Sequence, residues 1–282
     1  MNFERWAWYS VGVNVVLAAI NLAVASASDS LAVSAEVVHN IVDLASAVGV
    51  LAGIKLAARK TERFPYGLYK LENVVAVVIA VLIFITAWEF ARRSVLAAEH
   101  SVTAEPWMLA ALALAAAIAL SFSHFELRAG RRSGSPALIA DAREYRVHAL
   151  TTGVAIAAVA AEWFDVPIDR YASLLVVAAI VKMGWDLLAE SMRVLLDASL
   201  DEETLQRIRE IVDEEPSVAE TSRVQGRNAG RFRFVEIEAA VRTKDLEEAD
   251  ATAHRIEARI RDEVPNVERV LVHADPASRG QD

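Results

Sequence analysis

Six long apolar stretches crowd into the first 196 positions, at roughly 7–28, 33–57, 72–92, 106–127, 136–161 and 169–192. About 20 mostly apolar residues cross a bilayer core as a helix. In lipid the backbone must satisfy its own hydrogen bonds, so stretches joined by short connections such as SASDS and FDVPID are expected to be helices. Composition supports this division. The chain is 55% hydrophobic, yet residues 1–196 carry 17 acidic and 16 basic side chains while residues 197–282 carry 21 and 13. The expected organisation is a six-helix, all-α transmembrane domain over 1–196 and a soluble, acidic domain over 197–282.

Lys and Arg set the expected orientation. The second connection and its helix ends hold Lys55, Arg59, Lys60, Arg63 and Lys70, and the fourth holds Arg128, Arg131 and Arg132. The opposite side has Arg92, Arg93 and Arg170. Both termini are therefore expected in the cytoplasm, in a multi-pass protein of the plasma (inner) membrane. The N-terminal MNFERWAWYS lacks a cleavable-signal pattern, so the first stretch is read as a retained helix. The acidic balance argues against a nucleic-acid partner. With no cysteine, thiolate ligation and disulfides are excluded, and any metal must be held by nitrogen and oxygen.

The last part reads as an αββαβ domain, an α+β build of ferredoxin- or metallochaperone-like kind. DEETLQRIREIVDEE has an acidic first turn and apolar residues at Leu205, Ile208, Ile211 and Val212. SVAETSRVQGRNAG and RFRFVEIEAAV read as two strands joined by an Asn-Ala-Gly turn. LEEADATAHRIEARIRDEV is an amphipathic helix with Ala253, Ile256 and Ile260 on one stripe, and NVERVLVHAD is a final strand.

Polar groups break the apolar pattern in two places. His39 and Asp43 stand four apart in the second stretch, and Glu144 and His148 stand four apart in the fifth, with Asp141 on the same face. Four residues is about one turn, so each pair projects from one side of its helix. Ionisable groups at membrane depth are costly and mark ion pathways or substrate sites. A lone polar pair bonding between helices is the ordinary alternative, and the second pair weakens it. Two imidazoles and two carboxylates make a four-ligand set for a divalent metal of the zinc, ferrous iron, cobalt, nickel or manganese group. Both imidazoles must be neutral to bind, so metal competes with protons near neutral pH. Asn14, Asn21 and Asn40 are candidates to line the pathway, AAIALSFS reads as a packing surface, and Glu89, Glu162 and Asp186 read as interfacial.

Further segments carry a family resemblance. SDSLAVSAEVVHNIVD, PYGLYKLEN (Pro65 to Asn73), ADAREYRVH, ESMRVLLD (Glu190 to Asp197) and VHADP, in this order, resemble the motifs of the cation diffusion facilitators over essentially the whole chain. The resemblance implies a homodimeric, proton-coupled exporter of divalent metals that works by alternating access in the lipid bilayer, with no cofactor and no enzymatic activity. It places the transport site on His39, Asp43, Glu144 and His148, with zinc as first cargo and ferrous iron and manganese next. It also implies a charged interlock between protomers at Lys70 and Asp197, and a cytoplasmic metal site drawn from Glu238, His254, His273 and Asp275.

The sequence departs from that family in three ways. The pair in ADAREYRVH is acid-then-His where zinc-type members show His-then-acid. Leu68 stands where PYGLYKLEN would have a His, so no second site is expected in that loop, and Ser222 replaces a further cytoplasmic His. An intramembrane enzyme would need a pattern such as HExxH or a nucleophile with a base, which the His39–Asp43 stretch lacks. The competing reading is a membrane metal sensor that binds ions through its cytoplasmic domain without transport.

Overall fold

The structure is a computed structural model that describes residues 4–27, 44, 46–57, 59–96, 106–162 and 170–277. It divides into two compact units, Met1–Met192 and Arg193–Asp282. In the first, the described helices are α1 (Glu4–Ala27), α2 (Ser46–Ala57), α3 (Leu71–Leu96), α4 (Pro106–Ser133), α5 (Pro136–Glu162) and α6 (Arg170–Leu195). Among the described residues, Leu71–Arg92 and Leu109–Ser133 are long and apolar enough to cross a membrane, with mean hydropathy 2.6 and 1.6.

Small side chains let these helices approach closely, as membrane bundles favour. Ala76, Ala80, Ala137 and Ala140 are fully buried beside Ile54, Ile79, Ile83 and Leu138 in one cluster. A second cluster gathers Leu17, Ala115, Ala119, Tyr145 and Ala149 from α1, α4 and α5. Ala119 and Ser123, within the AAIALSFS run, are fully buried.

One expected connection is shorter than the sequence suggested. The segment read as a loop from Arg128 continues as helix to Ser133, because Arg and Ala are good helix formers and carry the helix past the single Gly130. Gly134 takes φ 67°, a conformation natural to glycine, and ends α4. Ser135 then caps α5, its hydroxyl accepting from the Leu138 amide at 3.5 Å, with Pro136 in the first helical position, where its missing N–H costs nothing. The hydroxyl of Ser135 donates to the buried Glu72 carboxylate at 2.5 Å, tying this turn to the start of α3.

The second unit comprises α7 (Glu202–Asp213), β1 (Val218–Ala229), β2 (Phe232–Val241), α8 (Leu246–Glu263) and β3 (Val267–Pro276). The strands lie in the order β1-β2-β3, with β1 antiparallel and β3 parallel to β2. A parallel neighbour needs a crossover, which α8 supplies. Asp201 caps α7 by accepting from the Thr204 amide at 2.8 Å, and Asp245 caps α8 by accepting from the Glu247 amide at 3.0 Å. Val235, Ile237 and Ala239 turn inward from β2, meeting Ile208, Ile211 and Val212 of α7, Ile256 and Ile260 of α8, and Val270 of β3.

Two details differ from the sequence reading. The hairpin pairs Ala229 with Phe232, so its loop is Gly230–Arg231, with Gly230 at φ 59°, while Asn228 stays in β1. The only residue there at home in a left-handed conformation is the glycine. On α8 the buried position is Thr252, with Ala253 only half-buried, because the stripe through Ile256 and Ile260 extends back four residues from Ile256.

Helix α6 ends on an uncommon residue. Asp197 has φ 56°, the Ala198 amide donates to the Arg193 carbonyl at 2.8 Å, and the Asp197 amide donates to the Val194 carbonyl at 3.2 Å. This is the pattern by which glycine usually closes a helix. Aspartate tolerates the left-handed region better than other non-glycine residues, and its carboxylate accepts from Arg227 of β1 at 2.7 Å. Asp197→Ala is expected to destabilise the second unit by about 1–2 kcal/mol, through the left-handed penalty on a Cβ residue, and Asp197→Gly by less. Denaturant melts of the two variants beside wild type check the order.

Candidate functional site

The site is built on α5, where successive residues reach different neighbours. The carbonyl of Ala142 accepts from the Ser123 hydroxyl of α4 at 2.6 Å. Arg143 reaches Glu190 of α6 at 3.3 Å. Glu144 accepts from the Ser46 hydroxyl of α2 at 2.7 Å. The Tyr145 hydroxyl donates to the Ser10 carbonyl of α1 at 2.9 Å, and Arg146 returns to Ser123 at 3.3 Å. Because each residue turns about 100°, five consecutive positions sample the whole circumference of the helix.

One face of α5 opens on a cavity of about 10 Å³ lined by Asn14, Leu17, Asp141, Glu144, Tyr145 and His148. Asp141, Glu144 and His148 follow an i, i+3, i+7 spacing and therefore share this face. Asp141 is 1% exposed and His148 9%. The sequence pair Glu144 and His148 is thus brought to one cavity, with Asn14 of α1 opposite. His39, Asp43 and Asn40 lie outside the described residues, as does the side chain of Asn21.

Sequence reasoning missed one acid. Glu126 of α4 is fully buried, one turn after Ser123, whose hydroxyl bonds the Ala142 carbonyl next to Asp141 on α5. The signal was an acid inside the apolar run of α4, which in sequence looks like a helix-end residue. Asp186 is one of the acids expected at the interface. It sits within α6, nine residues before the helix ends at Leu195, where Lys182 one turn away pairs with it at 2.7 Å. Glu89 forms a comparable exposed pair with Arg92 at 2.9 Å. Lys70 stands at the start of α3, its carbonyl accepting from the Asn73 and Val74 amides.

In the second unit the four candidate ligands of the expected cytoplasmic site do not come together. Glu238 and His273 are register partners on adjacent strands, and His273 lies 3.3 Å from Asp275. All three occupy the exposed face of the sheet, since Val235, Ile237 and Ala239 take the buried one. His254 stands elsewhere, on the solvent side of α8, because Thr252 and Ile256 hold the inward stripe of that helix. Its Nδ1 bonds the Asp250 carbonyl at 2.9 Å, and Asp250 Oδ2 lies 3.4 Å away. Among the described residues, no three His, Asp or Glu side chains stand close enough to hold a metal ion.

A helical membrane part with ionisable groups buried on its central helix, carried by a chain that also holds a small αββαβ domain, is the build of an ion carrier. Two family profiles match. The cation efflux transmembrane domain covers residues 7–196, and the cytoplasmic domain of cation efflux proteins covers residues 200–277. The chain belongs to the cation efflux, or cation diffusion facilitator, family of membrane transporters. Magnetosome protein MamB of Magnetospirillum gryphiswaldense is 23% identical over 97% of this chain and 94% of its own length. Manganese efflux system protein MneS of Bacillus subtilis is 25% identical over 97% and 95%. A solved MamM CTD is similar at 19% identity and TM-score 0.26, covering 27% of this chain and 98% of that one.

Electrostatics on α8 set a pH dependence. The hydrogen bond to the Asp250 backbone, helped by the Asp250 charge, raises the pKa of His254 above its ordinary value. A raised folded-state pKa contributes stability that is complete below the unfolded value of about 6.5 and lost as pH rises through the folded value. Glu263 is the opposite case: hydrogen bonding to Arg207, then to Arg259, lowers its pKa, so its contribution holds above about 4.5 and is lost on acidification. His254→Gln is therefore expected to lower the melting temperature at pH 5.5 and to leave it unchanged at pH 8.5. Equal shifts at both pH values would contradict the assignment.

Proposed function

We propose that this chain exports a divalent transition metal by exchange for protons, with His39, Asp43, Glu144 and His148 as the transport ligands. The observation that carries the reading is the Ser46–Glu144 hydrogen bond. It joins α2 to α5 at the acid that lines the cavity. In the sequence Asp43 stands three residues before Ser46 and His39 seven, the spacing of one helix face. A ligand-bearing carboxylate held by a neighbouring hydroxyl is the usual support of a metal site.

The donor set supports manganese or ferrous iron at least as well as zinc. The four proposed ligands are two imidazoles and two carboxylates, a mixed set that suits manganese and ferrous iron as it does zinc. The sequence expectation puts zinc first, and in this reading manganese and ferrous iron stand ahead of it. The relative named as a manganese efflux system protein agrees with this order. Proton exchange follows from the imidazoles, each of which gives up the metal on protonation. Homodimerisation fits the family of the cytoplasmic domain, and in a dimer Lys70 and Asp197 serve as the interlock.

Flux into proteoliposomes tests the cargo. Wild type is expected to move Mn(II) and Fe(II) faster than Zn(II), and Glu144→His combined with His148→Asp to shift the preference toward Zn(II). Absence of any metal flux, with binding retained, would turn the reading toward the sensor. Ser46→Ala is expected to weaken metal binding by roughly tenfold or more, as loss of a supporting hydrogen bond to a ligand does, which calorimetry on the full chain measures. Flux should also fall as the metal-side pH drops from about 8 to 5.5, the range in which histidine titrates.

A further inference from the structure

A groove of about 510 Å³ runs between α1 and α4, lined by Trp6, Trp8, Gly12, Val16, Ile118 and Phe122 among others. We propose that it holds one acyl chain of an anionic phospholipid of the cytoplasmic leaflet, with the headgroup between Arg5 and Lys55. Nothing in this assignment depends on which metal is carried. It rests on the orientation read from Lys and Arg, which puts the start of α1 at the cytoplasmic face.

Length comes first. From Trp6 to Val16 a helix rises about 15 Å, which is half of a hydrocarbon core of about 30 Å and so the depth of one leaflet. The walls are apolar throughout: Val13 and Val16 on α1, Ile118 and Phe122 one turn apart on α4. The floor of the groove is kept open by Gly12, around whose added Cβ nothing lies within 4 Å. A glycine inside a helix costs about 1 kcal/mol relative to alanine, and here it leaves the width that a chain needs.

The mouth is amphipathic. Trp6, Trp8 and Tyr9 cluster at the end of α1, with Trp6 packed edge-on to Tyr9 and tilted against Phe122. Aromatic rings of this kind sit at the headgroup level. Lys55 of α2 holds its ammonium 4.9 Å from the centroid of the Trp8 ring, so a cation stands directly on the groove wall. Arg5 is exposed beside Trp6. Neither Arg5 nor Lys55 has a carboxylate partner among the described residues. Past Phe122, α4 continues to Arg128, Arg131 and Arg132, all exposed. Two cations with no carboxylate partner among the described residues, over an apolar slot of leaflet depth, complement an anionic phosphodiester headgroup on an acyl chain, and basic pockets between helices on the cytoplasmic side bind such headgroups.

The test is lipid retention by the full-length protein in detergent, read by native mass spectrometry with phosphatidylglycerol and phosphatidylcholine of the same chains supplied in equal amounts. Wild type should retain phosphatidylglycerol about fivefold or more over phosphatidylcholine, the preference expected of at least one cation near the phosphate. Arg5→Gln with Lys55→Gln should bring the two lipids to parity. Gly12→Phe, or Val16→Trp as a second filling of the groove, should reduce retention of both lipids while leaving the thermal melt unchanged. Equal retention of the two lipids by wild type, or a phosphatidylglycerol preference that survives the double substitution, would overturn the proposal. So would groove-filling variants that alter subunit association and leave lipid retention intact.

Discussion

The polar run along α5 is the interaction on which the membrane part depends. Between Ala142 and Arg146 this helix bonds to α1, α2, α4 and α6 in turn. In hydrocarbon there is little hydrophobic force between helices, and such contacts, each worth roughly 0.6–2 kcal/mol, combine with close packing to fix the arrangement. A helix anchored on every side has a defined rotation. That rotation is what keeps Asp141, Glu144 and His148 together on the cavity.

The same residues that anchor α5 also surround the cavity with partners of different kinds. Tyr145 lines the cavity, bonds the Ser10 carbonyl and packs edge-on to Phe122, with ring centroids 5.0 Å apart. Glu144 lines it and accepts from Ser46. Glu126 of α4 is a further fully buried carboxyl beyond those that line the cavity. Small movements between helices change how these partners meet the cavity. This is the physical requirement of any carrier: binding must be strong in one arrangement and weaker in the next.

Much of this was legible in the sequence, and the exceptions share a cause. Apolar length gave the helices, and alternation with capping acids gave the order of helix and strand in the cytoplasmic unit. The pair at Glu144 and His148 stood out because a charge within an apolar run is rare. Glu126 did not, since a single acid before an arginine-rich stretch resembles a helix end, and only the packing of α4 on α5 shows its neighbours. Ser10 and Ser46 are ordinary small residues until a partner is found across the bundle. His254 matched the other three cytoplasmic candidates by type, yet which side of a sheet a helix covers is decided by tertiary packing. The stripe through Thr252, Ile256 and Ile260 put His254 on the far side.

The division of labour along α5 bears on how such a protein changes over evolutionary time. Ala142, Arg143 and Arg146 fasten the helix away from the cavity, Asp141 and His148 face it, and Glu144 and Tyr145 do both. Exchange of an acid for an imidazole on the cavity face leaves most of the fastening contacts untouched. An inverted order of acid and imidazole can therefore arise in a lineage without a new fold, and cargo preference becomes a trait that drifts and is selected separately from stability.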